Sequence, residues 1–175
     1  METLAPLYRV CLIGPECTGK TTIAARLAER YQTVWVPEYA REYAAAVARP
    51  LVAEDADPIA RGQLALEDVL APSATALLIL DTDLLSTFVY ARHYYGSAPE
   101  WIEPLLPTRL ANLYLLFSLD VDFAPDEVRD PTADRHAIHD AMRSTLDALN
   151  ARYERVGGAW EERVVQVIDA IERAR

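Results

Sequence analysis

Gly14-Pro15-Glu16-Cys17-Thr18-Gly19-Lys20-Thr21 decides the fold: it reads G-x-x-x-x-G-K-T and directly follows the apolar run Tyr8-Arg9-Val10-Cys11-Leu12-Ile13. A phosphate-binding P-loop has this form. Its glycines let backbone N–H groups curl around a β-phosphate, the lysine reaches the β/γ oxygens, and the threonine hydroxyl joins the nucleotide's Mg²⁺. The spacing predicts a strand ending at Ile13 and a helix beginning at Lys20, whose positive dipole end adds to the same site. Ile23, Leu27, Ala28 and Tyr31 give that helix its apolar face. Gly14, Glu16, Cys17, Thr18, Gly19, Lys20, Thr21 and Thr22 are therefore expected to bind ATP.

Further along, Thr33-Val34-Trp35-Val36 reads as a short buried strand that Pro37 stops, which puts Glu38 at a strand's C-terminal end. A helix is expected over Tyr39 to Val47, broken by Arg49-Pro50, and another after Asp57-Pro58, with Ile59, Gln63, Leu66 and Leu70 on one face. Ala76-Leu77-Leu78-Ile79-Leu80 is an uninterrupted apolar run, as a strand covered on both faces requires. It closes on Asp81-Thr82-Asp83 in the manner of a Walker B strand. Leu84 to Tyr95 and Trp101 to Leu106 read as helices, Leu113 to Leu119 as a fourth strand, and Glu154 to Val156 as a short fifth. Ile138, Met142, Leu146, Leu149 and Tyr153 mark one helix, and Val164, Val167, Ile168 and Ile171 the last. Between them and the fourth strand, Asp120 to Arg135 carries two prolines, two arginines and five aspartates, the composition of a loop or lid near 120–136.

Strands alternating with helices imply an α/β architecture, the P-loop NTPase kinase fold, with a parallel sheet of about five strands and helices on both faces. At 175 residues and 51% hydrophobic the chain, 1–175, is expected to form one such domain. Its 17 Lys+Arg against 27 Asp+Glu leave a net charge of −10, which repels a phosphodiester backbone and argues against long nucleic acid as a substrate. No apolar run is long enough for a membrane span, the N-terminus lacks the pattern of a signal peptide, and a cytoplasmic location is expected. Two cysteines, Cys11 in a strand and Cys17 in the phosphate loop, do not make a disulfide framework.

In sheets of this kind ligands bind beyond the carboxyl ends of the strands, which gathers the P-loop, Glu38, Asp81 and the segment after Leu119 onto one edge. Asp81 is the natural partner of Thr21 on Mg²⁺. Asp83 either shares this work, binds a substrate hydroxyl or caps the following helix. Phosphoryl transfer to a hydroxyl needs a carboxylate to orient the nucleophile and accept its proton, and Glu38, expected at the end of the strand beside the P-loop strand, is placed for this. Arg41 either pairs with Glu38 or holds a substrate phosphate. Lys20, Arg129 and Arg135 are the cations available to the transferring phosphate. Tyr39, Tyr43, Tyr90, Tyr94, Tyr95 and Trp101 offer faces on which a heteroaromatic ring can stack.

The succession Gly14-Pro15-Glu16-x-x-Gly19-Lys20-Thr21, Pro37-Glu38-Tyr39-Ala40-Arg41-Glu42-Tyr43, Gly62-Gln63 and Leu80-Asp81-Thr82-Asp83-Leu84-Leu85-Ser86-Thr87 resembles the ribosylnicotinamide kinase domain of the NadR family. The likeness runs from about residue 8 to 170, and Glu-Tyr-x-Arg-Glu with Asp-Thr-Asp is far rarer than a P-loop alone. It implies transfer of the ATP γ-phosphate to the 5′-hydroxyl of nicotinamide riboside, giving nicotinamide mononucleotide in NAD salvage. It further implies substrate-side roles for Glu38, Tyr39, Arg41, Asp81, Asp83 and, through stacking, Trp101. Larger NadR proteins add an adenylyltransferase and a DNA-binding domain, so this chain is expected to act as a stand-alone kinase. One departure stands out: family members often carry Pro-Trp before an acidic pair and an arginine after the fourth strand. Here Asp122-Phe123-Ala124-Pro125-Asp126-Glu127-Val128-Arg129 keeps the acids and the arginine without the tryptophan. The other readings are a P-loop kinase for a different nucleoside, nucleotide or sugar, and an ATP- or GTP-binding regulatory module. The absence of a guanine-reading Asn-Lys-x-Asp weighs against a GTP switch.

Overall fold

Five strands joined through helices form one parallel sheet in this computed structural model, which describes residues 7–120 and 135–175. In chain order the elements are β1 (Tyr8–Ile13), α1 (Lys20–Arg30), β2 (Trp35–Val36), α2 (Tyr39–Val47), α3 (Ala56–Leu70), β3 (Leu77–Asp81), α4 (Leu84–Tyr95), α5 (Ile102–Arg109), β4 (Leu113–Phe117), α6 (Arg135–Ala148), β5 (Tyr153–Val156) and α7 (Trp160–Ala174). The strands stand in the order β2-β3-β1-β4-β5. Register is set by pairs such as Val10 with Ile79 on one side of β1 and Val10 with Leu113 on the other.

Because side chains alternate along a strand, the sheet sorts its apolar residues into two layers. Val10, Leu12, Leu77, Ile79, Leu113 and Leu115 pack with α1 and α7 through Ile23, Leu27, Val167 and Ile171. Cys11, Ile13, Leu78, Leu80 and Leu116 pack on the opposite side with α4, α5 and α6 through Leu85, Phe88, Ile102, Leu106, Ile138 and Met142. Covered on both faces, β3 and β4 are unbroken apolar runs for this reason. The buried Cys11 thiol is pushed well above its ordinary pKa, first by burial and then by the Asp83 and Glu67 carboxylates. It is a core residue.

The strand order corrects one expectation. β3, not β2, adjoins the P-loop strand, so Glu38 is delivered from the second strand out while Asp81 stands at its neighbour. Boundaries also shift for local reasons. β2 shortens to Trp35–Val36, with the Thr33 hydroxyl donating to the Leu77 carbonyl at 2.6 Å. β4 ends at Phe117, just before Ser118, whose carbonyl accepts from Arg163. α5 runs on to Arg109, with Pro107 near its C-terminal end, where its missing N–H costs one bond. Arg135 and His136, read as the end of the lid, begin α6. Residues 121–134 of that segment, including Arg129, Phe123 and the acidic pair, lie outside the described residues.

One buried charge cluster ties α3 to the sheet. Glu67 is 2% exposed; Arg9 of β1 and, at 3.4 Å, Arg109 of α5 both donate to its Oε2, while Arg109 also meets Asp68 at 2.8 Å. Burial, reinforced by Asp83, outweighs the two arginines and raises the Glu67 carboxyl to about 7. The folded protein then holds a proton that the unfolded chain, near its ordinary value of 4.5, has released. Stability from this group is complete below pH 4.5 and is lost as pH rises through about 7. Denaturant unfolding between pH 4.5 and 8 should show a decline on the order of 3 kcal/mol from Glu67, and Glu67→Gln should remove that component of the slope.

Candidate functional site

The loop between β1 and α1 is a tight cradle whose conformation only particular residues permit. Gly14 and Gly19 adopt φ of 151° and 87°, and between them Cys17 is left-handed at 57°. At Gly14 a Cβ would meet Phe117 of β4 at 3.1 Å, and at Gly19 it would meet the Trp160 ring of α7 at 2.7 Å. The backbone therefore runs closer to its neighbours than any side chain would allow. Thr18 closes the loop internally, its hydroxyl donating to the Pro15 carbonyl at 3.0 Å, and Lys20 Nζ reaches the same carbonyl at 2.7 Å. Gly19 caps α1 without a side-chain bond, which leaves first-turn amides aimed at whatever anion the loop holds.

A buried arginine braces this loop from behind. Arg163, 0% exposed, donates to the Thr18 carbonyl at 3.4 Å, the Ser118 carbonyl at 3.3 Å and the Gly158 carbonyl at 2.9 Å, and pairs with the Asp120 carboxylate. P-loop, end of β4 and start of α7 thus share one cation. Sequence reasoning passed over it, although a signal exists: Arg163 shares a face with Val167, Ala170 and Ile171, at the spacing of the buried stripe of α7. An arginine on a core stripe requires partners.

The Asp81-Thr82-Asp83 turn divides its work. Asp81, 2% exposed, accepts from the Thr21 hydroxyl at 2.6 Å, bringing two oxygen donors together beside the phosphate loop. Such hard oxygen ligands fit Mg²⁺, with the remaining positions left to water and phosphate. Thr82 sits at φ 75°, a strained conformation for a β-branched residue, and its amide donates to the Leu12 carbonyl at 3.1 Å. Asp83 departs from a substrate role. Its Oδ1 caps α4 through the Leu85 and Ser86 amides at 3.1 and 3.4 Å, its Oδ2 accepts from the Tyr114 hydroxyl at 2.6 Å, and only 3% of the residue is exposed. Burial raises its carboxyl above the usual range despite these bonds. Of the uses open to it in the sequence, the helix cap is the one realised.

Glu38 stands at the N-cap of α2, its side chain 31% exposed and 4.0 Å from Arg41. Gln63 fixes the turn that presents it: its Oε1 accepts from the Tyr39 amide at 2.9 Å and its Nε2 donates to the Pro37 carbonyl at 3.5 Å. Gly62 is glycine because the Tyr39 ring lies where its Cβ would be, 1.9 Å away. The Gly62-Gln63 pair is thus a seat for the Pro37-Glu38-Tyr39 turn. Tyr39 acts in that seat, not in the cleft wall.

Glu38, Arg41, Glu16 and Thr82 open onto a cleft of about 830 Å³ between α2, α3 and α4. Its volume suits a nucleoside-sized ligand. Ala40, Ala44, Ala45, Ala48 and Ala91 leave room, while Tyr90, Tyr94 and Tyr95 of α4 supply aromatic surface. Tyr90 and Tyr94 stack at 6.1 Å and 10°. At the far end Asp55 accepts from Arg49 at 2.7 and 2.9 Å, the Tyr43 hydroxyl at 2.9 Å and the Val52 amide at 2.8 Å, and the Arg49 guanidinium holds its carboxyl far below the usual range. Trp101 is elsewhere. Its indole N–H donates to Asp57 at 2.6 Å and Arg61 lies 4.7 Å over its ring, so it locks α5 to α3 and does not line the cleft. Arg135 does reach the phosphate loop, donating to the Glu16 carbonyl at 2.9 Å.

A family model described as an AAA domain matches residues 9–163. Over 153 residues the chain is 25% identical to the trifunctional NAD biosynthesis/regulator protein NadR of Escherichia coli (strain K12), a match covering 84% of this chain and 37% of that protein. The Salmonella typhimurium NadR is 24% identical over 169 residues, covering 93% of this chain and 41% of its own length. The chain therefore spans roughly two fifths of the curated relatives it matches. Among solved structures, a NadR protein in complex with NR is similar at a TM-score of 0.78 and 25% identity, covering 96% of this chain and 50% of that one. A thymidylate kinase from Ehrlichia chaffeensis, at 0.67 and 15% identity over 94% and 98% of the two chains, shares the fold. Among the described residues no helix is long and apolar enough to cross a membrane.

Replacing Arg163 by Met should loosen the phosphate loop while preserving side-chain bulk. Three carbonyls lose a donor, so the expected cost is about 2–4 kcal/mol by thermal unfolding, with nucleotide affinity weakened about tenfold in a fluorescence titration. Equal nucleotide affinity in the folded variant would show that the brace serves stability alone.

Proposed function

The chain belongs to the AAA domain family, and we propose that it is an ATP-dependent nucleoside kinase whose acceptor is nicotinamide riboside, phosphorylated at the 5′-hydroxyl to nicotinamide mononucleotide. The observation that carries this reading is the cleft itself. It opens beside the phosphate loop and has carboxylates at the phosphate end, tyrosines on one wall and a volume near 830 Å³. Likeness to a NadR protein in complex with NR, at 25% identity, supports the choice of acceptor.

In this mechanism the loop amides and Lys20 hold the triphosphate, and Arg135 on α6 adds positive charge beside the loop. Mg²⁺, for which Thr21 and Asp81 are the donors, supplies charge neutralisation at the phosphates when bound. Glu38 accepts a hydrogen bond from the acceptor hydroxyl and turns its oxygen toward the γ-phosphorus. As that oxygen forms its bond, the bond to the β,γ-bridging oxygen breaks, ADP leaves with the electron pair, and the proton passes to Glu38. Arg41, 4.0 Å from Glu38, helps to orient the carboxylate. Tyr90, Tyr94 and Tyr95 provide the ring-stacking surface that the sequence had assigned more broadly.

ATP consumption with Mg²⁺ across a panel of nucleosides, with product mass read directly, tests the proposal. A nicotinamide mononucleotide product is expected; phosphorylation of another nucleoside in its place would retain the mechanism and move the specificity, and no turnover would favour a nucleotide-binding regulatory module. Glu38→Gln should lower kcat about 10²-fold or more with little change in KM for ATP. Unchanged turnover would remove Glu38 from the mechanism.

A further inference from the structure

At the far end of the cleft a guanidinium is used on only one of its two edges. Arg49 lines that end beside Asp55. Its Nη1 donates to Asp55 Oδ2 at 2.7 Å and to the Pro50 carbonyl at 3.0 Å, which occupies both hydrogens of that nitrogen, and its Nη2 donates to Asp55 Oδ1 at 2.9 Å. A guanidinium carries its donors in one rigid plane, so a second fork is left, formed by Nε and the outer hydrogen of Nη2. No acceptor meets that fork among the described residues, and the Arg49 side chain is 47% exposed.

Asp55 cannot turn to a ligand in its place. The two guanidinium nitrogens, the Tyr43 hydroxyl and the Val52 amide already fill both of its oxygens, and it is 3% exposed. The chain around Arg49 also fixes where the cation sits. Ala48 ends α2 in the left-handed region at φ 51°, a costly conformation for alanine, and Pro50 confines the Arg49 backbone to extended angles. Pairing with Asp55 then holds the guanidinium plane, so the open fork is ordered before any ligand arrives. Pro50, Leu51, Val52 and Ala45 make the surroundings apolar. A ligand that fills this end displaces water from the fork and must supply an acceptor or leave it unsatisfied.

We infer that Arg49 is a specificity-determining residue that donates through this fork to a carbonyl oxygen carried on the acceptor's ring, at the end of the cleft opposite the phosphates. The inference rests on the nicotinamide riboside kinase reading and adds to it the group that reads the base. Glu38 precedes α2 and Arg49 follows its end, so the nine residues of the helix set the two apart by about 14 Å, the span of a nucleoside plus the reach of a side chain. Tyr95 stands at the same end. Burial first and then the Asp55 carboxylate push its phenol up, which keeps it an O–H donor able to share the same oxygen. A carboxamide offers the fork one oxygen and a carboxylate offers two, so the chemistry shared by both is a planar carbonyl; a bare ring has neither.

The test pairs residue changes with acceptor changes, using three pyridine ribosides that carry a carboxamide, a carboxylate or no group on the ring. Wild type should favour the better carbonyl-bearing acceptor over the bare ring by about 10- to 100-fold in kcat/KM, chiefly through KM. Arg49→Met should lose a similar factor on that acceptor and no further on the bare ring, while Arg49→Lys, which keeps the charge but not the fork, should fall between. A carboxamide preference and a carboxylate preference both support the inference, and the difference identifies the oxygen source. An equal loss on all three acceptors in folded Arg49→Met would show that the residue serves the packing of α2 alone, which overturns the inference and leaves the kinase reading standing. Wild type that uses the bare ring as readily as the other two would do the same. Wild-type protein that phosphorylates none of the three would overturn the kinase reading, and this inference with it.

Discussion

The site depends on a loop that can exist only where three neighbours leave it room. Gly14 presses on Phe117, Gly19 on Trp160, and the Thr18 carbonyl is held by Arg163, so the phosphate cradle is shaped by β4 and α7 as much as by its own residues. Glycine answers the close approach at two points. The buried guanidinium answers it at the third by donating to three backbone carbonyls. An anion-binding loop must hold its amides inward before the anion arrives, because each amide that has to reorient weakens the preorganised site. Arg163, locked by Asp120 and three carbonyls, supplies that rigidity.

Chain order then distributes the chemistry along the sheet edge. β3 lies between β1 and β2, which sets Asp81 directly beside the phosphate loop and Glu38 one strand further out. That extra strand of separation matters for function. Asp81 meets Thr21 at 2.6 Å beside the phosphate loop, whereas Glu38 lines the cleft. A three-residue turn, with Thr82 strained at φ 75°, sends its two aspartates to different tasks: one toward the nucleotide site, one inward to cap α4 and bind Tyr114. The strain is sustained because both flanking side chains are anchored.

Across the cleft the same economy of space recurs. Alanines on α2 and α4 open a volume, Gln63 and Gly62 seat the turn that presents Glu38, and the Arg49–Asp55 pair stiffens the far wall. Two carboxylates face this space from separate elements, beside a phenol whose own ionisation they oppose.

By itself the sequence determined the phosphate loop, the alternation of strand and helix, the apolar runs of β3 and β4, and the placing of Glu38 and Asp81 at strand ends. These follow from local rules: glycine spacing, side-chain periodicity and proline breaks act over a few residues and leave a readable pattern. Tertiary structure alone decided the strand order, and with it that Glu38 comes from the second strand out. It also decided which of several chemically suitable residues face the cleft. Trp101 and Tyr39 look like ligand platforms in sequence, yet one bonds Asp57 and the other covers Gly62. Asp83 looks like a ligand and is a cap. Arg163 looks like a surface cation and is wholly buried. In each case the deciding contact joins residues far apart in the chain. Composition fixes what a side chain can do, and only packing across the sheet fixes which partner it meets.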